Sequence, residues 1–183
     1  TQYETVLKAV YDAKAAVRYF RKDFANGDTY GIDPNTIFAG GYSAGGVIAI
    51  HQAYIDNIID LPSIATDNNG NSFNVQSIAN NVGGTYAIEG DAGNYGYSSE
   101  ISGVISFAGG INDVSWIDSD DEPLVSIQGT NDLTVSYNCG PGLNNALVLN
   151  LCGSAEMHPQ ADLVGIINET LIFNGEGHSW AAN

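Results

Sequence analysis

Gly41-Tyr42-Ser43-Ala44-Gly45 is a G-x-S-x-G pentapeptide set between a short apolar run and a long one. A serine hydroxyl is a weak nucleophile at neutral pH. It needs a histidine to take its proton and a carboxylate to hold that histidine in one tautomer. Two later loops offer both groups. Gly129-Thr130-Asn131-Asp132 follows the apolar run 124–128, and Gly175-Glu176-Gly177-His178-Ser179-Trp180 follows the run 170–173. Loops at the carboxyl ends of core strands are where parallel α/β sheets build their sites. The expected chemistry is acyl transfer, with Ser43 as nucleophile, His178 as base and Asp132 as the acid that orients it. The backbone N–H of Ala44, at the start of the following helix, would steady developing negative charge. The plain alternative is a glycine-rich turn with a capping serine. A strand, a sharp turn and a buried helix around one serine favour the nucleophile.

The other candidates weigh less. His51 sits inside the helix that follows Ser43 and reads as a core or surface histidine. His158 precedes Pro159 near an expected helix start, where capping or exposure explains it. Asp113 follows the run that ends near Ala108 and is the best alternative acid. Asp118, Asp120, Asp121 and Glu122 precede a strand and read as a solvated acidic turn, with a surface calcium site as the second reading. Asp67-Asn68-Asn69-Gly70-Asn71 has the look of a calcium loop, but Ile78 stands where an EF-hand needs its bidentate acid, so an EF-hand is rejected.

These residues need a frame. Val6, Val10, Ala13, Val17, Phe20 and Phe24 recur at helical spacing and predict an amphipathic helix over 5–24, with Lys14, Arg18 and Lys22 on a solvated face. A turn-rich stretch leads to a buried strand at 36–40, and residues 47–55 form an apolar run long enough to be a buried helix. Residues 61–100, rich in Asn, Gly and Ser, are expected to form an insertion or lid over the sheet. Strands are expected at 103–108, 123–128 and 169–173, with a helix at 154–164 between the last two. The alternation predicts one α/β domain over 1–183, with a mostly parallel sheet flanked by helices.

Composition narrows the partners. Five Lys and Arg stand against 21 Asp and Glu, and all five cations lie in the first 22 residues. Such a chain repels nucleic acid and anionic membrane surfaces. No apolar run reaches the length of a membrane span, and no signal peptide is evident. An apolar fraction of 44% is enough for a substantial core. Cys139 and Cys152 are the two cysteines. In a cytosolic protein they would stay reduced; in a secreted or periplasmic one they would form a disulfide stabilising the fold by roughly 3 kcal/mol. Two thiols alone make a poor zinc site, and the acidic, lysine-poor surface suits an extracytoplasmic setting, so the bridge is expected. No metal and no cofactor is expected.

The chain resembles the α/β-hydrolase superfamily, in particular its secreted carboxylesterase and lipase-like branch, over nearly its whole length. The match is carried by Tyr30-Gly31-Ile32-Asp33-Pro34-Asn35-Thr36-Ile37 entering Gly41-Tyr42-Ser43-Ala44-Gly45-Gly46, by Gln128-Gly129-Thr130-Asn131-Asp132, and by Gly177-His178-Ser179-Trp180. The Ser, Asp, His order is also that of the superfamily. Gln128 departs from the histidine frequent at that place, outside the triad. The resemblance implies an α/β-hydrolase fold and hydrolysis of a small carboxylic ester through Ser43, Asp132 and His178. It also implies strands and a His-Gly-Gly loop ahead of the first helix and a further helix after His178. Neither is found between Thr1 and Asn183. The expectation is therefore a partial domain whose missing N-terminal part is a partner and supplies the second oxyanion donor. Two other readings stay open: a serine peptidase of the prolyl-oligopeptidase type, and a non-catalytic α/β-hydrolase-like binding domain. Peptide specificity usually needs a group that recognises the substrate amine or carboxylate, and no Lys or Arg follows residue 22, which favours the ester.

Overall fold

The computed structural model describes residues 1–67 and 69–180. Thr1 caps the first helix, α1 (Gln2–Ala25), its hydroxyl accepting from the Glu4 amide at 3.1 Å, and Lys8 pairs with Glu4 one turn on at 2.8 Å. The chain then runs through β1 (Ala39–Tyr42), α2 (Ala44–Tyr54), a small hairpin of β2 (Ala65–Thr66) and β3 (Ser72–Phe73), and α3 (Val75–Gly83). A 3-10 segment, Gly84–Glu89, leads on to β4 (Val104–Phe107), β5 (Leu124–Gly129), a second hairpin of β6 (Cys139–Pro141) and β7 (Asn150–Cys152), α4 (Ser154–Val164) and β8 (Asn168–Phe173).

The central sheet has the order β1-β4-β5-β8 and is parallel at every pairing. Ala39, Val104, Leu124 and Asn168 stand side by side in register at its lower edge. Parallel strands alternate faces, and Val104, Ser106, Leu124 and Ser126 are buried on one of them, against the helices. On the other face Ile105, Val125 and Leu171 remain partly exposed. The core gathers Val10, Ile50, Tyr54, Ile111, Leu124 and Met157, all fully buried, from α1, α2, β5, α4 and a loop.

Several expectations are corrected. The first strand begins at Ala39, not at residue 36, because Asp33 ties Asn35 and Thr36 into a turn through their amides and the Thr36 hydroxyl. Lys14 and Arg18 are not on a solvated face; they are 2% and 3% exposed. Lys14 Nζ donates to the Ile55 carbonyl at 2.8 Å and to Glu89 at 3.3 Å, and Arg18 Nη1 donates to the Glu89 carboxylate at 3.0 Å. Residues 61–100, expected as an insertion or lid, send Leu61, Val75, Ala79 and Ile88 into the core. Ser99 adds a 2.6 Å bond to Glu89. His158 lies within α4 and is buried, its Nε2 at 2.6 Å from Ser126 Oγ and its Nδ1 at 2.6 Å from Asn168 Oδ1. Of the Asp67–Asn71 run, Asn68 is outside the described residues; Asp67 accepts from the amides of Asn69 and Asn71 in the turn joining β2 to β3.

Candidate active site

The turn between β1 and α2 is built by close approach. A Cβ on Gly41 would overlap the backbone of Gly45, and one on Gly46 would come within 2.9 Å of Ser106 Oγ, so both positions require glycine. Ser43 at the apex has φ 57°. Such a conformation costs a residue with a side chain about 1–3 kcal/mol. It is held by the Ser43 amide donating to Phe107 O at 2.8 Å and by Val47 donating to Ser43 O at 3.0 Å, the first turn of α2. The local fold therefore lifts the hydroxyl above the sheet edge while the amide of Ala44, the first residue of α2, lies beside it.

Asp132 hangs from the loop after β5. Its Oδ1 accepts from the amides of Thr134 and Val135 at 2.8 and 2.9 Å, and its Oδ2 lies 2.8 Å from His178 Nδ1. The Asp132 side chain is fully buried and that of His178 is 15% exposed, so the acid is sealed while the imidazole edge stays within reach of solvent. His178 Nε2 lies 2.8 Å from Ser43 Oγ. The three residues proposed from sequence thus form one hydrogen-bonded line from the Ser43 hydroxyl to a buried carboxylate.

The two loops that carry Asp132 and His178 are joined to one another. Thr130 N donates to Phe173 O, Asn131 N to Glu176 O, Asn131 Nδ2 to Gly175 O, and Gly175 N to the Thr130 hydroxyl, all between 2.9 and 3.1 Å. A side chain at Gly129 would overlap the Glu176 carbonyl, so the glycine lets the loops touch. Tyr42 donates its hydroxyl to His178 O at 2.9 Å and lays its ring 5.3 Å from the imidazole.

Gln128, read in the sequence only as a departure, has a structural task. Buried completely, it donates Nε2 to Val135 O at 2.9 Å and accepts from Ser154 N at 2.8 Å, bracing the acid loop against α4. Its position at the end of a strand and just before the acid loop was the available signal. His51 is a core histidine, as expected, with Nδ1 at 2.7 Å from Val47 O and Nε2 at 2.9 Å from Asn112 Oδ1. Asp113 caps a 3-10 turn through the Ser115 amide and does not join the site. Cys139 and Cys152 are bridged and pair directly across the β6–β7 hairpin. Among the described residues, no group of three His, Cys, Asp or Glu side chains could hold a metal ion. No described helix is long and apolar enough to cross a membrane.

The family model described as BD-FAE matches residues 2–147. Among solved structures, the chain is similar to a truncated carbohydrate esterase from gut microbiota, at 21% identity and a TM-score of 0.60, over 92% of this chain and 60% of that one. It is also similar to esterase 2 of Thermogutta terrifontis phosphorylated by paraoxon, at 19% identity and a TM-score of 0.61, over 96% of this chain and 55% of that one. A propionate-bound structure of a thermophilic esterase from the same species matches with a TM-score of 0.58 and 18% identity, over 93% of this chain and 55% of that one. At these identities the likeness is one of fold: a mainly parallel sheet flanked by helices, as in α/β-hydrolase esterases. The chain spans 55–60% of the length of these structures. No curated protein matches it.

Proposed function

The chain belongs to the BD-FAE family, an α/β-hydrolase-type esterase domain, and on that premise we propose that it hydrolyses small carboxylic esters through an acyl-enzyme on Ser43. The observation that carries this reading is the unbroken line of two 2.8 Å contacts from Ser43 Oγ through His178 to Asp132. His178 Nε2 takes the Ser43 proton as Oγ attacks the ester carbonyl, and the Ala44 amide donates to the oxyanion that forms. Collapse of the tetrahedral intermediate breaks the ester C–O bond, and His178 returns its proton to the departing alcohol. A water, deprotonated by the same imidazole, then releases the acid from Ser43. Asp132 holds the Nδ1–H through one oxygen, its other oxygen already occupied by the two loop amides.

The disulfide and the acidic surface support an extracellular or periplasmic setting for this activity. The test compares p-nitrophenyl acetate with dipeptide p-nitroanilides, on the protein and on Ser43→Ala. Ester cleavage that disappears in S43A, with the anilides untouched, is the expected result. Ester cleavage that persists in S43A contradicts the assignment, and faster cleavage of the anilides would make the protein a peptidase.

A further inference from the structure

Beside Ser43 lies a cavity of about 350 Å³, at the lower end of the ~300–1,000 Å³ of small-molecule sites. Among the described residues, its walls carry no ionisable side chain. It is lined by Val6 and Ala9 of α1, by Val47 of α2 and by Leu143, Val148 and Leu151 of the β6–β7 hairpin, with Ser43 among them. An apolar cavity that opens beside the nucleophile suits an apolar group of the substrate.

The hairpin wall is anchored at its base and near its tip, and Asn112 Nδ2 also donates to Asn150 O at 2.7 Å. Its strands pair over three residues each, too few to be stable alone. At the base the Cys139–Cys152 bridge joins the strands, and Cys152 exchanges backbone bonds with Ile111 at 2.7 and 2.9 Å. Farther out, Leu143 N donates to Thr134 O at 2.7 Å, next to the acid loop, and the Gln2 side chain clasps the loop through Leu147 O at 2.7 Å and Leu149 N at 2.9 Å. Gln2 thereby ties the α1 wall to the hairpin wall.

We propose that this slot binds the acyl chain of the ester, that it prefers apolar chains longer than acetyl, and that the disulfide-closed hairpin is the wall that sets the preference. The proposal rests on the ester-hydrolase reading above.

The probes are p-nitrophenyl methylphosphonate and p-nitrophenyl hexylphosphonate. Ser43 Oγ attacks phosphorus, His178 takes its proton and p-nitrophenolate leaves, so labelling needs the nucleophile but not full turnover. Rates are followed by intact mass, located by peptide mapping and divided by each reagent's own rate with hydroxide. Each methylene taken out of water is worth about fourfold, so two buried methylenes already give a hexyl preference above tenfold, which is the expected result. Ala9→Trp, which fills the slot from α1, should bring the ratio near one. If A9W does not fold, Val6→Phe serves the same purpose. Reduction by a dithiol, which passes two electrons and two protons to the bridge and becomes a disulfide itself, should lower the ratio at least threefold in protein verified to carry two free thiols. A ratio near one in the unmodified protein, or one insensitive to the filling variants, overturns the slot. A ratio that falls with A9W but survives reduction overturns the hairpin as its wall. Failure of both reagents to label Ser43 overturns the ester-hydrolase reading itself, a result distinguishable from labelling without chain-length dependence.

Discussion

Strand β5 carries acids at both ends, and their fates are opposite. After its carboxyl end, Asp132 is buried with every partner supplied: two loop amides on one oxygen and an imidazole on the other. Before its amino end, Asp121 and Glu122 border a cavity of about 510 Å³ together with Asp56, Glu89 and Lys14. There Lys14, the one cation lining the cavity among the described residues, donates to Ile55 O and Glu89. Burial, reinforced by Asp118, Asp56 and Glu122, pushes the Asp121 carboxyl up to about 8. Burial raises Glu122 as well. The lesson is that a buried carboxylate is tolerated by the number of donors aimed at it, not by its place on the sheet.

The largest way to break the comparison is at the satisfied end. Asp132→Asn keeps the shape but cannot hold His178 in the required tautomer, and kcat for ester hydrolysis should fall by about 10,000-fold with the circular dichroism unchanged. Next comes Gly129→Val, whose side chain forces the acid and histidine loops apart. A shift of about 1 Å between reacting groups costs about a hundredfold, and kcat/KM is the readout.

Smaller effects are expected away from the site. Burial pushes the Glu89 carboxyl up, but Lys14, Ser99 and Arg18 together hold it below its ordinary value. Glu89→Ala leaves two buried cations without their shared anion and should cost about 1–3 kcal/mol, which thermal unfolding reads as several degrees.

The smallest change should come from Asp121→Asn and have the opposite sign. A carboxyl whose folded pKa is about 8 against an ordinary 3.8 binds its proton more tightly when folded, so its stabilisation is present in acid and is lost as pH rises through that interval. D121N should raise Tm by about 2–4 °C at pH 8 and make no difference near pH 4. Equal Tm values for the two proteins at pH 8 would remove the asymmetry between the ends of β5.

The parts of this arrangement differ in how openly the sequence displays them. Asp132 and His178 are legible because each follows an apolar run whose length and β-branched residues mark a strand, whereas Ser43 is legible from the glycines around it, which punctuate a turn where backbones must touch. The helix at 154–164 is legible with its bounds, yet His158 is misread, since Pro159 suggests a helix start and instead sits inside α4. Lys14 and Arg18 are misread because a helical wheel shows only which residues share a face. What covers that face is the segment 61–100, whose weak periodicity conceals the four apolar side chains it contributes to the core. Asp121 and Glu122 read as a solvated turn because composition carries no record of the cavity that α1 and α2 build behind them.

The central claim, that Ser43 is a nucleophile driven by His178 and Asp132, is tested most directly by trapping the acyl-enzyme. The protein is mixed with p-nitrophenyl acetate, quenched in acid within milliseconds to seconds, digested and mapped by mass spectrometry, alongside His178→Ala. An acetyl group on the peptide containing Ser43, absent from H178A, is the predicted result. Ester turnover without acetyl on that peptide, or equal acetylation of H178A, would contradict it.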